Sequence, residues 1–205
     1  MLGRSLLPLL ADAGHEVIAP GSRDLNLFDP DAVRAAVEGA DAIYHLATRI
    51  PPPERAIESA AWDENDRLRS VASRLLVDVA LATDTAVYIQ PSVTFIYPAE
   101  DAVDESTPID PSARLGSMVV AETETQRFTD AGHRGVVLRL GLLWGPHTGS
   151  DAPNDRYGAT LHVDDAGTAL LAALDAPSGI YNVVSDAQRV SNALFKRTTG
   201  WSPRY

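Results

Sequence analysis

Short apolar runs of strand length alternate with amphipathic stretches along most of the chain. The runs predict buried strands at residues 16–19, 42–47, 86–90, 136–140 and 180–184. Between them, apolar positions recur with a helical period and predict helices at 2–13, 29–38, 65–82, 116–131, after 165 and from about 191. This alternation indicates an α/β protein with a mostly parallel sheet covered by helices.

The helix that starts at Asp29 has the clearest local signals. Asp29 supplies a capping carboxylate, Pro30 suits the first helical position, and Asp31 places a negative charge in the first turn. Gly39 is placed to end this helix. In the opening helix, by contrast, Pro8 must remove one backbone hydrogen bond.

Length and composition narrow the class of protein further. The chain has 205 residues, enough for one domain, or for one domain with a small appendage. It contains no cysteine, which excludes disulfides and thiolate chemistry, and its formal net charge of −11 argues against nucleic acid as a partner. No apolar run approaches the roughly 20 residues of a membrane span. We therefore expect a cytoplasmic protein with neither a membrane nor a nucleic-acid partner.

The sequence favours neither a metal site nor a hydrolase. A Gly-x-Ser-x-Gly turn, which carries the nucleophile of many hydrolases, is absent. The five histidines are scattered and form no His-x-x-x-His pair of the kind that metal sites use. They are His15, His45, His133, His147 and His162. We expect no metal, and structural roles for His45 and His162.

Several segments carry a resemblance to one family. Gly14-His15-Glu16-Val17, followed by 41–47, resembles the early half of the extended short-chain dehydrogenases/reductases, the NAD-dependent epimerase/dehydratase family. The later half is matched by the segments 138–146, 162–165 and 181–183, and the end of some atypical members by 189–205. Together the matches follow the family's order along nearly the whole chain.

The family is built on a Rossmann-like, doubly wound parallel sheet that binds NAD(P). The resemblance therefore implies a dinucleotide-binding part over residues 1–147 and a small C-terminal portion, 148–205, that completes the sheet and the substrate side. The family's opening strand and the first two glycines of its phosphate-binding motif have no match, which leaves Gly3 as the last glycine of that motif. We expect that the natural polypeptide begins upstream of Met1. Near 151–156 and 185–189 the chain is also shorter than the family, either because it is trimmed or because segments are absent.

The resemblance implies a set of cofactor-binding residues. They are Gly3, Arg23, Asp24, Leu46, Ala47, Thr48 and Ser92. Arg23 would meet the 2′-phosphate of NADP, Asp24 would contact the adenine, and the backbone of 46–48 would pass beneath the cofactor. No acidic residue ends the first predicted strand to bind both ribose hydroxyls of NAD, so NADP is favoured over NAD. The alternatives are a solvated charge pair at Arg23 and Asp24 and a simple buried strand end at 46–48.

The acid–base pair typical of the family is replaced in this sequence. Members carry Tyr-x-x-x-Lys, in which the lysine lowers the pKa of the tyrosine so that the phenol exchanges a proton with a substrate hydroxyl. Leu115 and Val119 stand at these two positions, and neither can transfer a proton. Val93 falls where the family has a Ser or Thr that holds the hydroxyl, although a shift of one residue would place Ser92 or Thr94 there. Ser92 and Thr94 are therefore the catalytic candidates.

Two functions stay open from the sequence. The first is an NAD(P)-binding protein of the nucleotide-sugar epimerase/dehydratase type. It would be at most an atypical oxidoreductase or epimerase, acting on a nucleotide sugar or a related carbonyl or hydroxyl compound. The second is a non-catalytic module on the same fold that senses the cofactor or binds a protein. The family often forms homodimers through two helices, and the helices around Leu75 and Val120 are candidates for that interface.

Overall fold

The computed structural model describes residues 1–99 and 102–205. Its helices are α1 (Leu2–Asp12), α2 (Pro30–Val37), α3 (Asp63–Arg67), α4 (Ser73–Ala82), α5 (Gly116–Asp130), α6 (Val163–Ala173) and α7 (Ala193–Thr199). Its strands are β1 (Ala42–Tyr44), β2 (Val87–Val93), β3 (Arg134–Leu140), β4 (Leu142–Trp144), β5 (Thr160–His162) and β6 (Gly179–Val183). A π-helical segment, Leu68–Ala72, joins α3 to α4. The fold is α/β with parallel strand pairing, which confirms the class that the alternating pattern predicts.

The chain divides into two compact units. The first unit consists of Met1–Val17, Pro91–Ala113 and Val136–Tyr205, and the second of Ile18–Gln90 and Arg114–Gly135. The boundary between residues 147 and 148 that the resemblance implies stays a prediction.

The second unit is organised around the parallel pair β1 and β2, in which Ile43 lies opposite Tyr88. Helix α4 packs against α2 and α5. The buried apolar core contains Val33, Val37, Ile43, Leu76, Val77, Val79, Ala80, Tyr88 and Phe128. Helix α2 begins as predicted, because the Asp29 carboxylate accepts hydrogen bonds from the N–H groups of Asp31 and Ala32 at 3.0 and 3.2 Å.

The first unit contains the parallel pairs β3–β6 and β4–β5. Helix α1 packs directly against α6. A Cβ added to Gly167 of α6 would lie 2.8 Å from Cβ of Ser5, so the absence of a side chain at Gly167 lets the two helices approach. A separate apolar cluster is formed by Tyr97, Val103, Ala159, Val184 and Val190.

Most elements predicted from periodicity are confirmed, with shifts at their ends. The strands expected at 86–90, 136–140 and 180–184 correspond to β2, β3 and β6. The long helix expected at 65–82 corresponds to α3, the π-helical segment and α4 in one continuous run. The strand expected at 42–47 is shorter, since β1 ends at Tyr44, although the His45 N–H still donates to the carbonyl of Ile89 at 3.0 Å.

The strand predicted at 16–19 is wrong. These residues form an irregular segment, and within the described part of the chain no strand pairs with them. The side chains that periodicity placed in a core are open to solvent: Val17 is 37% exposed and Ile18 is 69% exposed. An extended segment becomes a strand only when a neighbouring strand satisfies its backbone groups, and a local apolar pattern cannot supply that neighbour.

Candidate functional site

Gly3 lies in the first turn of α1. Met1 precedes this helix without a side-chain capping bond, and the first turn carries no acidic residue. The first N–H groups of a helix have no partner within the helix, and they carry the positive end of its dipole. Such a turn is suited to an anionic group, and the cofactor-binding role of Gly3 stays a prediction.

Arg23 and Asp24 lie in a tight turn of the second unit. The Asp24 carboxylate accepts a hydrogen bond from the Gly21 N–H at 3.0 Å, and the Asp24 N–H donates to the Gly21 carbonyl at 2.9 Å. These two bonds close the turn and leave the guanidinium side chain of Arg23 exposed. The structure therefore gives Asp24 a local structural role and presents Arg23 to solvent, where it can meet a charged ligand.

The segment Leu46, Ala47 and Thr48 follows β1 at its carboxyl end. Leu46 and Ala47 are half-buried and Thr48 is exposed. The next residue, Arg49, donates its backbone N–H to Oδ1 of Asn65 at 3.0 Å, and Asn65 is completely buried. The carboxyl ends of parallel strands are where α/β folds bind ligands. Asn65 therefore fixes the course of the backbone that was predicted to pass beneath a cofactor.

Ser92 and Thr94, the two catalytic candidates, are buried at 2% and 0% exposure. Val93, between them, is half-buried and is the last residue of β2, and Thr94 begins a 3₁₀ turn. The Thr94 hydroxyl Oγ1 has no hydrogen-bond partner among the described residues. Both hydroxyls thus lie in the interior of the first unit, and their catalytic role stays a prediction.

Leu115 directly precedes α5, and Val119 lies one helical turn later, in the first turn of that helix. Both side chains are half-buried. Between them, the Ser117 hydroxyl donates to Oδ1 of Asp66 at 2.7 Å. The position implied for the usual tyrosine is thus occupied by an apolar side chain, and the nearest hydroxyl on the same helix already bonds to a carboxylate.

A buried polar cluster surrounds His45 in the second unit. Nδ1 of His45 lies 3.1 Å from Oε1 of Gln90, 3.1 Å from Oγ of Ser73 and 3.3 Å from Oη of Tyr88. Burial lowers the pKa of His45 to about 4, with the bond to Gln90 opposing this effect in part. The imidazole is therefore neutral at physiological pH, consistent with the structural role predicted for it.

A second buried network lies in the first unit. Arg139 donates from Nη1 to Oη of Tyr97 at 2.7 Å, and Tyr97 donates to Oδ1 of Asn182 at 2.9 Å. Glu105 accepts the backbone N–H of Asn182 at 2.8 Å. Burial raises the pKa of Tyr97, and the hydrogen bond from Arg139 opposes that rise. The phenol proton is committed to Asn182, so this tyrosine holds the interior together. Sequence reasoning did not find the network, because its members are far apart in the chain.

A cavity of about 540 Å³ also belongs to the first unit. It is lined by the segments 102–107 and 185–192. Ala187 on its wall has a positive φ of 58°, which is strained for a residue with a Cβ. The wall segment 185–192 belongs to the part of the chain that the resemblance assigns to the substrate side, whereas 102–107 belongs to the part that it assigns to dinucleotide binding.

Across residues 1–99 and 102–205, no group of three or more His, Cys, Asp or Glu side chains is arranged to hold a metal ion. Within the same described residues, no helix is long and apolar enough to cross a membrane.

Comparison with known proteins identifies the family. The α/β fold with parallel strand pairing is Rossmann-like. The family model described as "NAD dependent epimerase/dehydratase family" matches residues 1–161. The chain belongs to this family, which confirms the resemblance drawn from its sequence.

Two curated relatives are both named as reductases. The 2-alkyl-3-oxoalkanoate reductase of Shewanella oneidensis is 25% identical over 73% of this chain and 45% of the relative. The 3-diazoavenalumate denitrifying reductase of a Streptomyces species is 28% identical over 90% of this chain and 69% of the relative. The chain thus spans about half the length of the first relative.

A solved structure supports the fold. The RMD protein of Pseudomonas aeruginosa, in complex with NADPH, superposes with a TM-score of 0.78 at 20% identity. The match covers 100% of this chain and 91% of that chain. At this identity the likeness establishes the shared fold.

Proposed function

We propose that this chain binds a nicotinamide cofactor and reduces the carbonyl group of a small molecule. The observation that carries the proposal is the family match over residues 1–161. Two further findings support it: both relatives are named reductases, and the RMD protein of the same fold is complexed with NADPH. When bound, the cofactor would supply a hydride to the carbonyl carbon.

The residues of the chain fit such a cofactor at several places. The first turn of α1, with Gly3 and without a capping side chain, suits a pyrophosphate. The exposed Arg23 suits the additional 2′-phosphate of NADP, since a guanidinium pairs with phosphate through several N–H groups. The backbone of 46–48, which follows the carboxyl end of β1, and Ser92 are further contacts that the family resemblance implies. We therefore favour NADP over NAD.

The chemistry would depend on positioning more than on proton transfer by a side chain. Leu115 and Val119 have no ionisable group at the positions where the family has its tyrosine and lysine. The hydroxyls of Ser92 and Thr94 would hold the substrate oxygen by hydrogen bonds, and water would supply the proton. Such an enzyme would be slower than one with a tyrosine donor, because general acid catalysis typically contributes about 10²- to 10⁴-fold.

The apolar pair Leu115 and Val119 also favours a second candidate function. A protein that keeps the cofactor site and loses the proton donor can serve as a sensor of the cofactor or as a protein-interaction module on the same fold. Binding without turnover would distinguish this candidate from the reductase. Under either function we propose a cytoplasmic protein, with a small-molecule ligand such as a nucleotide sugar or a related carbonyl compound and with homodimers through α4 and α5.

The test is calorimetric titration with NADPH and with NADH. We compare the unchanged chain with Arg23→Leu and with Arg55→Leu, whose arginine is exposed and pairs with Glu58 in another part of the second unit. We expect tighter binding of NADPH than of NADH, and loss of about tenfold in NADPH affinity in Arg23→Leu only. A folded chain that binds neither nucleotide would refute the proposal. Equal losses in both variants would refute the role of Arg23.

A further inference from the structure

Two buried hydrogen-bond donors lie on one helical run of the second unit. Asn65 belongs to α3 and is 0% exposed, and Arg69 belongs to the π-helical segment and is 9% exposed. They are four residues apart in a continuous helix, a spacing that places side chains on the same face. Both buried side chains therefore lie on one face of this helical run.

Each of these side chains keeps a donor without an acceptor. Oδ1 of Asn65 accepts the backbone N–H of Arg49 at 3.0 Å, whereas its Nδ2 has no hydrogen-bond partner among the described residues. Nη1 of Arg69 is equally buried and equally without a partner in that part of the chain. Buried donors are nearly always paired with protein, ordered water or ligand, so each of these two donors calls for an acceptor on this face.

The charge of Arg69 strengthens this requirement. Burial lowers the pKa of the Arg69 guanidinium, and attraction to the Asp66 carboxylate offsets only part of that effect. The same carboxylate already accepts the hydroxyl of Ser117 at 2.7 Å. A buried cation is costly unless an opposite charge and hydrogen bonds compensate it. An anionic acceptor close to Nη1 would supply both.

We propose that Nδ2 of Asn65 and Nη1 of Arg69 form a subsite for a carboxylate group. Two N–H donors on one face match the two oxygens of a carboxylate, and one positive charge matches its single negative charge. The subsite lies beside the carboxyl end of β1, because Asn65 is bonded to Arg49, which directly follows Thr48. The identification of the substrate rests on the proposed reductase function. If that function holds, the substrate that carries this carboxylate is an oxo acid.

The subsite can be tested without any cofactor. We measure the thermal midpoint of the full chain in roughly 0.2 M sodium acetate, in sodium chloride of equal ionic strength, and in chloride with added acetamide, the neutral analogue of acetate. We expect acetate to raise the midpoint by roughly 3 °C over chloride, and acetamide to leave it unchanged. Equal midpoints in acetate and chloride would overturn the proposal.

Three variants assign the effect to the subsite. Arg69→Met keeps the length of the side chain and removes its donors, and we expect the response to acetate to disappear. Arg69→Lys keeps the charge, and we expect a reduced response to acetate. This variant keeps the test decisive if Arg69→Met does not fold. Arg67→Met removes an exposed arginine of the same helix and should respond like the unchanged chain.

The outcomes separate the subsite from the reductase. A response to acetate that persists in Arg69→Met overturns the subsite, whatever the cofactor titrations show. A chain that binds neither NADPH nor NADH but responds to acetate through Arg69 keeps the subsite and refutes the proposed function.

Discussion

Asp165 offers the most direct test of how the C-terminal residues are held. Its side chain is 1% exposed and lies in the first turn of α6. Oδ1 accepts the backbone N–H of Arg204 at 3.0 Å, and Oδ2 accepts that of Tyr205 at 3.1 Å. Both carboxylate oxygens are thus engaged by successive backbone donors.

The expected loss on replacing Asp165 with alanine follows from these two bonds. A hydrogen bond to a charged group contributes about 1.5–3 kcal/mol. We take the lower end for each bond, because Arg204 and Tyr205 are exposed and their N–H groups can bind water once released. The free energy of unfolding should therefore fall by roughly 3 kcal/mol in Asp165→Ala, and by about half of that in Asp165→Asn, which keeps one acceptor oxygen.

The assay is urea denaturation at neutral pH, with Asp164→Ala as the matched control. Asp164 lies in the same turn of α6 and shares any interaction with the helix dipole, but its side chain is 54% exposed. We expect this control to lose less than about 1 kcal/mol. Equal losses in the two variants would refute the reasoning.

A chain that lacks Arg204 and Tyr205 extends the test. In that background Asp165→Ala should have little further effect, because the two donors are already absent. An undiminished loss there would assign the stabilisation to another contact of Asp165.

Two further predictions concern the interior. The pKa of His45 is about 4 in the folded chain against 6.5 in the unfolded chain, so stability falls as pH drops from 6.5 towards 4, by up to roughly 3 kcal/mol. In His45→Gln, urea denaturation should show a weaker dependence on pH across this window; an unchanged dependence would contradict the assignment. Gly167→Ala should lower the free energy of unfolding by about 1–2 kcal/mol through contact with Ser5. Gly116→Ala, where nothing lies within 4 Å of the added Cβ, should not destabilise the chain, and equal effects on the thermal midpoint would argue against the close approach of α1 and α6.

Elements with local signals were predictable from the sequence, and those that need a distant partner were not. Helix α2 has its cap, its first-turn proline and its acidic residue within three positions, so Asp29 and Pro30 are enough to locate its start. The segment 16–19 has an apolar pattern equally typical of a strand, yet whether it pairs depends on a neighbouring strand that a local pattern does not specify.

The residues of the candidate site also differ in whether the sequence could predict them. Arg23 is exposed and 46–48 follow β1, and the cofactor-binding roles that the family pattern implies for them stay predictions. The unpaired donors of Asn65 and Arg69 had no signal in the sequence, because an asparagine and an arginine in a polar helical stretch are ordinarily solvated. Only the packing around the helix shows that both are buried.

The π-helical segment 68–72 fixes the number of residues between two anchor points. Asn65 is bonded to the backbone of Arg49 before this segment, and Ser73 lies 3.1 Å from Nδ1 of His45 directly after it. Inserting or deleting one residue between them would turn one anchor by about 100° relative to the other. Natural variants of this protein should therefore differ freely in residue type at the exposed Val71, but they should keep the same count of residues from Asn65 to Ser73.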